Sequence, residues 1–333
     1  MIEITNLVKR YGTAYAVDDI SFKVKKGEIV GFLGPNGAGK STTMNILTGY
    51  LSSTSGTAAV GGLDVLEYPD EAKKLIGYLP EQPPLYLDMK VGEYLDFVYD
   101  LKGCKLNRKK HLDEICAVTK ITDVRNRLIA NLSKGYRQRV GIAQTLVGNP
   151  PVIILDEPTV GLDPKQIIEI RNLIRMLGKD HTVILSTHIL SEVQAVCDRI
   201  IVINEGRIIA DEKTENISRA VGENIRYSVR ICGPQKDVAA AIKATNGIIS
   251  CEVIGDKEGD SYLYRIESES GVDVRKPLFF AMAEKGYPII ALEAAGVSLE
   301  DVFMKITEAD DAKRKMKVRG TRSYRAPAGQ EEN

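Results

Sequence analysis

A run of eight residues, GPNGAGKS in one-letter code and spanning Gly34–Ser41, constrains the fold of this chain more than any other feature. Its glycines, lysine and serine have the spacing of a phosphate-binding loop. The apolar run Glu28–Leu33 precedes it and the helix-compatible stretch Thr42–Leu47 follows it. Because such a loop must connect a strand to a helix, spacing and context together predict phosphate binding in an α/β domain.

Each residue type in this loop has its own part in binding phosphate. Glycines at these positions let backbone N–H groups close around phosphate oxygens, because a Cβ atom would obstruct the turn or the approach. We expect Lys40 to reach the β and γ phosphates of a nucleotide and Ser41 to ligate Mg²⁺. The alternative is a glycine-rich turn that serves only the fold. The candidate binding residues here are Gly34, Pro35, Asn36, Gly37, Ala38, Gly39, Lys40, Ser41 and Thr42.

A second motif ends in two acidic residues. The apolar run Val152–Asp156 reads as a buried strand, and Glu157 follows it directly. Parallel sheets present functional groups at the carboxyl edge of their strands. We therefore expect Asp156 to belong to the magnesium shell and Glu157 to polarise the attacking water as a general base. The alternative for Glu157 is that it only solvates the end of a strand.

Hydrophobic patterning divides the chain into an α/β domain and a smaller unit. Residues 2–212 alternate β-branched runs with amphipathic stretches, which predicts a largely parallel sheet. Residues 224–308 read as strand, helix, strand, strand, helix, strand and a final helix over Leu299–Thr307, an order typical of a small ferredoxin-like α+β domain. Residues 309–333 form a basic tail that we expect to be disordered.

Composition excludes several classes of protein. The chain has 45 Lys and Arg against 45 Asp and Glu, so it lacks the basic field of a protein that binds nucleic acid nonspecifically. Its five cysteines include no close pair, which argues against disulfides and a zinc site. No apolar run approaches the roughly 18 residues of a membrane-spanning helix, and the N-terminus lacks the apolar core of a signal peptide. We therefore expect a cytoplasmic protein.

Between the two phosphate motifs, Leu132–Arg139 reads LSKGYRQR. This segment is similar to the signature of ABC-type ATPases, Leu-Ser-Gly-Gly-Gln followed by basic residues, and the first 212 residues resemble that family throughout. The resemblance implies an ATP-binding domain over 1–212 with a helical subdomain over about 83–145. It also implies that Ser133 and Gly135 face the γ-phosphate bound by a second copy of the chain. Lys134 and Tyr136 depart from the common glycine and glutamine.

Four further positions match the family. Gln82 resembles the glutamine that approaches Mg²⁺ and water, and Gly161–Asp163 resembles a loop at the dimer interface. His188 resembles the histidine that senses the γ-phosphate, and Tyr11 resembles the aromatic residue that stacks on adenine. Each has a plainer alternative: Gln82 as an isolated glutamine without a role in a proline-rich loop, Asp163 as a helix cap, His188 as a structural histidine, and Tyr11 as a half-exposed strand residue.

The resemblance implies an ATPase that binds ATP and Mg²⁺ as a head-to-tail homodimer. It would drive a separate membrane permease and lie on the inner face of the membrane through it. Leu85–Leu95 and Val297–Phe303 resemble the ATPases of bacterial exporters of the drug, polysaccharide, sodium and gliding-motility type, so we expect export. The alternatives are an importer subunit, a soluble ABC ATPase acting on ribosomes or nucleic acid, and an inactive regulator. Nucleic acid is not an expected partner, because the net charge is zero.

Overall fold

The computed structural model describes residues 1–214, 226–255, 257–269 and 272–295. The chain divides into two compact units, Met1–Thr214 and Glu215–Asn333. The helix expected over 299–307 and the basic tail over 309–333 lie outside the described residues, as does most of the boundary expected near 212–224.

The first unit has ten strands and seven α-helices. The strands are β1 (Ile2–Tyr11), β2 (Ala14–Val24), β3 (Ile29–Leu33), β4 (Ser55–Val60), β5 (Leu63–Asp64), β6 (Ile76–Leu79), β7 (Val152–Asp156), β8 (Thr182–Thr187), β9 (Arg199–Asn204) and β10 (Arg207–Lys213). The helices are α1 (Lys40–Leu47), α2 (Pro69–Lys74), α3 (Val91–Leu101), α4 (Arg108–Val118), α5 (Lys134–Leu146), α6 (Pro164–Leu177) and α7 (Leu190–Val196).

Six strands form the sheet that carries both phosphate motifs, in the order β10-β9-β3-β8-β7-β6. Five of them are parallel, and only β10 runs antiparallel to its neighbour. Strands β3 and β7 are buried along their whole length, as near-continuous apolar runs in a covered parallel sheet should be. The carboxyl ends of β3, β7 and β8 therefore lie side by side at one edge of the sheet.

The six-stranded sheet is largely parallel, as predicted, and a second, antiparallel sheet that was not predicted from the sequence lies beside it. Its order is β2-β1-β4-β5, and β1 and β2 form a hairpin in which Tyr11 pairs with Ala14. In β1, Ile2 and Ile4 are buried while Glu3 is exposed, which is the alternation of a sheet with one buried face. The rings of Phe22 and Phe32 lie 5.6 Å apart, so the two sheets share one core.

Helices occupy most of the chain between β6 and β7. Residues 83–145, expected to form a helical subdomain, contain α3, α4 and nearly all of α5. Helix α5 begins after Ser133, whose Oγ accepts a hydrogen bond from the backbone N–H of Tyr136 at 3.4 Å. Helix α6 begins with Pro164 after Asp163, whose Oδ1 accepts a hydrogen bond from the Gln166 backbone N–H at 2.9 Å. Both helices therefore carry side-chain N-caps, and the capping interpretation of Asp163 is confirmed.

In its described residues, the second unit has a four-stranded antiparallel sheet and two helices. Its described elements are β11 (Arg226–Cys232), α8 (Gln235–Lys243), β12 (Ile248–Val253), β13 (Ser261–Ser268), α9 (Arg275–Glu284) and β14 (Ile289–Ala295). The strand order is β12-β13-β11-β14. Val229 and Tyr264 of the sheet and Ile242 and Leu278 of the helices belong to one buried cluster. The ferredoxin-like assignment of this unit stays a prediction.

Candidate functional site

The phosphate-binding motif lines a cavity at the carboxyl edge of the parallel sheet. It connects β3 to α1, as its position in the sequence predicts. The cavity has a volume of about 450 Å³. Its lining residues are Ala16, Asn36, Gly37, Gly39, Lys40, Ser41, Thr42, Glu81, Glu157, Val160 and His188. The two phosphate motifs, which lie more than a hundred residues apart in the chain, therefore meet in one site.

Two glycines of the loop have backbone conformations that other residues rarely adopt. Gly37 has φ +80° and Gly39 has φ +105°. A Cβ atom on Gly39 would lie 2.4 Å from the carbonyl oxygen of Ala16, whereas one on Gly37 would meet no atom of the described residues within 4 Å. At Gly39 the loop thus packs directly against the backbone of β2, and at Gly37 it faces open space.

Lys40 is almost fully buried at the start of α1, with 6% of its surface exposed. Its Nζ donates hydrogen bonds to the carbonyl oxygens of Gly34 at 2.8 Å and Pro35 at 3.2 Å. The same Nζ lies 3.6 Å from Oε1 of Glu157. A buried ammonium in contact with a carboxylate and two carbonyl groups is a fixed positive charge, and it stands beside the backbone N–H groups of the loop.

Glu157 is the centre of the charged groups in the cavity. His188 Nδ1 lies 2.9 Å and 3.0 Å from its two carboxylate oxygens. Glu157 has φ +49°, and its N–H donates to the carbonyl oxygen of Ser186 at 2.9 Å. This left-handed conformation costs a non-glycine residue about 1–2 kcal/mol.

Asp156 and Ser186 carry buried oxygen atoms that lack a hydrogen-bond partner among the described residues. These atoms are Oδ1 of Asp156 and Oγ of Ser186, and the two residues pair across β7 and β8. Burial, and then the charge of Asp156, raise the pKa of the nearby Tyr78 hydroxyl. An orphaned carboxylate oxygen is a suitable ligand for Mg²⁺ or for a water molecule of its shell. The hydroxyl of Ser41, an exposed residue that lines the cavity, is a second oxygen of a type that can ligate Mg²⁺.

Eight sequence-predicted residues do not line this cavity: Gly34, Pro35 and Ala38 of the phosphate loop, Asp156 at the end of β7, and Gln82, Tyr11, Ser133 and Gly135, which lie outside the two phosphate motifs. Gln82 is exposed, and it is the adjacent Glu81 that lines the cavity. Tyr11 is 53% exposed, with Lys9 Nζ lying 5.3 Å from the centroid of its ring. Ser133 and Gly135 stand at the start of α5, away from the lining. The roles expected for these residues, like those of the residues that do line the cavity, stay predictions.

The start of α5 packs against the loop that follows Glu157. A Cβ atom on Gly135 would lie 2.6 Å from the side chain of Gln166, and one on Gly161 would lie 2.0 Å from Nζ of Lys134. Gly135 therefore leaves room for the end of the Gln166 side chain, which belongs to the first turn of α6. Lys134, which departs from the family signature, is directed at the loop that contains Gly161.

Sequence patterns gave no sign of several residues at this site. Ala16 belongs to the antiparallel sheet, and its approach to the loop depends on how the two sheets pack. Glu192 is 1% exposed and accepts hydrogen bonds from the hydroxyls of Thr159 and Thr187. A Glu within a short helix is normally solvated, so its burial has no local signal.

A phosphate loop, a strand-end acidic pair and a histidine on one parallel sheet define a nucleoside-triphosphate-binding cassette of the ATPase type. The family model described as ABC transporter matches residues 17–160. The chain is 32% identical over 308 residues to the bacitracin transport ATP-binding protein BcrA of Bacillus licheniformis, covering 92% of this chain and 97% of that protein. The chain therefore belongs to the ATP-binding proteins of ABC transporters.

Other relatives agree with this assignment. The linearmycin resistance ATP-binding protein LnrL of Bacillus subtilis is 37% identical over 247 residues, or 73% of this chain and 79% of that protein. The ATP-binding cassette MJ0796, solved as a dimer in a post-hydrolysis state with ADP and Pi, is 28% identical, with a TM-score of 0.59 over 64% of this chain and 99% of that one. Among the described residues, no helix is both long and apolar enough to span a bilayer.

Proposed function

We propose that this chain is the ATP-hydrolysing subunit of an exporter and drives a separate membrane permease. The observation that carries the proposal is the contact of Glu157 with both Lys40 and His188 beside the phosphate loop. A carboxylate held by hydrogen bonds next to a phosphate-binding cavity is positioned to accept a proton from an attacking water. A cavity that only bound nucleotide would not need this arrangement.

Each of these residues has a distinct role in the proposed hydrolysis. The loop backbone and Lys40 bind the β and γ phosphates, and the lysine charge offsets the charge that develops during transfer. Glu157 orients the water and takes its proton. His188 holds the carboxylate of Glu157 through Nδ1 and leaves its other ring nitrogen for the γ-phosphate.

Magnesium fits the oxygen atoms present at this site. When bound, the ion would neutralise charge on the β and γ phosphates. Ser41 at the start of α1 and the orphaned carboxylate oxygen of Asp156 would hold it, directly or through water. Gln82 would complete the shell from its exposed position in the loop after β6.

A second copy of the chain completes the proposed site. Ser133 and Gly135 lie at the N-terminus of α5, which favours an anion, yet they do not line the cavity of their own chain. They would therefore serve the γ-phosphate of a second copy in a head-to-tail dimer. The dimeric cassette MJ0796 supports this arrangement.

An apolar groove beside the helical segment supports a membrane partner. It has a volume of about 520 Å³, and its lining includes Tyr86, Phe97 and Leu101. All three side chains are exposed, and the rings of Tyr86 and Phe97 pack edge to face at 5.4 Å. Exposed apolar clusters of this kind mark interaction sites. We propose that a cytoplasmic segment of the permease binds here and holds the chain at the inner face of the membrane.

Export is favoured by what the relatives are named for. BcrA is a bacitracin transport protein and LnrL a linearmycin resistance protein. Resistance to an antibiotic through a transporter requires its removal from the cell or membrane. Together with the exporter-like segments Leu85–Leu95 and Val297–Phe303, these names favour an exporter over an importer.

ATP turnover of a Glu157→Gln variant tests the proposed chemistry. The amide can still accept hydrogen bonds but cannot take a proton from water, so turnover should fall by about 10² or more while ATP binding is kept. ATP should then trap a stable dimer, detectable by size exclusion with light scattering. Glu71→Gln, the same change at an exposed position of α2, is the control. A near-normal rate in single-turnover assays would exclude Glu157 as the base.

Affinity purification from detergent-solubilised membranes tests the permease. The full chain should retain a polytopic membrane protein, and Phe97→Asp should lose it because the change puts a charge into the apolar groove. Phe279→Asp, at an exposed phenylalanine of the second unit, is the matched control. Equal retention by both variants would contradict docking in this groove.

A further inference from the structure

A carboxyl group is buried next to the proposed catalytic pair without lining the cavity. Glu192, in α7, is 1% exposed. Its Oε1 accepts a hydrogen bond from the hydroxyl of Thr159, and its Oε2 accepts one from Thr187 at 2.9 Å. Both threonines are buried as well. In the part of the chain that the structure describes, no cation lies within ion-pair distance of this carboxyl group.

Each of the two threonines lies in the same segment as one member of the catalytic pair, Glu157 and His188. Thr159 lies two residues after Glu157, and Thr187 immediately precedes His188. Thr187 Oγ1 also accepts a hydrogen bond from the backbone N–H of Ile189 at 3.1 Å, which fixes the chain on the far side of the histidine. Glu192 thus binds both segments close to the contact between Glu157 and His188.

Packing of α7 does not account for a buried glutamate. Leu190, Val193 and Val196 already bury the apolar face of this helix. Burying a carboxyl group without a cation is unfavourable compared with burying an apolar side chain of similar volume. What an apolar residue could not provide is an acceptor for two buried hydroxyl groups.

We propose that Glu192 is a positioning residue for ATP hydrolysis. It acts through Thr159 and Thr187, which keep the carboxylate of Glu157 within hydrogen-bond distance of His188. It does not touch nucleotide, metal or the reacting water. This inference rests on the proposed function, because it assigns Glu192 to the reaction in which Glu157 is the base.

Separation of ATP binding from turnover gives the first test. Glu192→Ala leaves the phosphate loop intact, so the Kd for ATP should change by less than about twofold while the single-turnover rate falls about tenfold or more. Glu192→Gln restores one acceptor and should recover most of the rate. Val196→Ala, which removes buried apolar atoms from the same helix, should leave the rate unchanged. An equal loss of rate in Glu192→Ala and Val196→Ala would overturn the proposal.

A chain in which His188 is already mutated shows whether Glu192 acts through the contact between Glu157 and His188. In a chain that already carries His188→Ala, the contact that Glu192 maintains is gone, so Glu192→Ala should cost much less than in the wild-type chain. The same fold-loss in both backgrounds would indicate a general structural effect and would overturn the proposal.

Histidine NMR tests the positioning without any ATP turnover. The chain has three histidines, so the imidazole signal of His188 can be assigned by its disappearance in His188→Ala. Glu192→Ala should shift this signal, and Val196→Ala should not. If wild-type protein failed to hydrolyse ATP, the proposed function would fail while this shift still reported the contact. An unchanged His188 signal in Glu192→Ala would overturn the proposal whatever the ATPase result.

Discussion

Two glycines of the phosphate loop allow the cost of a close backbone contact to be separated from the cost of backbone strain. Gly37 and Gly39 both have positive φ, +80° and +105°. In the part of the chain that the structure describes, a Cβ atom at Gly37 would meet nothing within 4 Å, whereas one at Gly39 would lie 2.4 Å from the carbonyl oxygen of Ala16. Gly37→Ala and Gly39→Ala are therefore a matched pair that differ mainly in this contact.

The structure sets the expected magnitudes. Alanine at positive φ costs about 1–2 kcal/mol, which Gly37→Ala should show. Gly39→Ala adds an overlap with rigid backbone, and overpacking of this kind typically costs about 1–3 kcal/mol more. If the loop of a variant moves to relieve the strain, the variant loses affinity for ATP phosphates instead of free energy of unfolding. The quantity to compare is therefore the sum of the losses in the free energies of unfolding and of ATP binding.

Urea denaturation and calorimetric ATP titration measure both parts. For Gly37→Ala the combined loss of free energy should be about 1–2 kcal/mol. If all of it appears as weaker ATP binding, the Kd for ATP should rise roughly 5- to 30-fold. For Gly39→Ala it should reach about 2–5 kcal/mol. If the two variants lose the same amount, β2 yields to the added methyl group, and the loop is not held rigidly against the backbone of β2.

Two other predictions concern the dimer and the start of α6. Lys40→Ala and Ser133→Arg should each abolish turnover as homodimers, and mixing them should restore up to about half of it per mixed dimer. Turnover per wild-type chain that stays constant on dilution far below the dimer's Kd would contradict a composite site. Asp163→Ala should lower the free energy of unfolding, measured by urea denaturation, by about 1 kcal/mol. Asp163→Asn should lower it much less, because the Asn side chain still accepts a hydrogen bond from the Gln166 backbone N–H. Equal losses in the two variants would contradict a capping role for Asp163.

Elements that local patterns determine were predictable from the sequence. Strand β7 has the predicted bounds, Val152–Asp156. A continuous apolar run that ends in acidic residues is itself typical of a buried parallel strand, so the strand could be predicted without knowing its neighbours. Helix α6 begins at Pro164 after an aspartate cap, and both signals lie within four residues of the helix start. The phosphate loop was predictable for the same reason, because the spacing of its glycines, lysine and serine and the flanking strand and helix all lie in one short segment.

Features that depend on distant pairing were not predictable. The antiparallel sheet requires β1 to lie between β2 and β4, and the turn at Gly12 reveals only the first of these pairings. The left-handed backbone of Glu157 has no sequence signal, since glutamate does not favour positive φ. The burial of Glu192 depends on hydroxyl groups from two segments that meet only in the folded chain.

The antiparallel sheet has a direct part in the geometry of the phosphate loop. Besides the approach of Gly39 to Ala16, the carbonyl oxygen of Ala38 accepts a hydrogen bond from the N–H of Gly206 at 2.9 Å. The carbonyl oxygen of Gly206 in turn accepts from the N–H of Asp18, in β2, at 2.8 Å. The loop is thus fixed from outside by the β9–β10 turn and by β2. Because both contacts involve backbone atoms, displacement of the antiparallel sheet would disturb phosphate binding even with every residue of the motif intact.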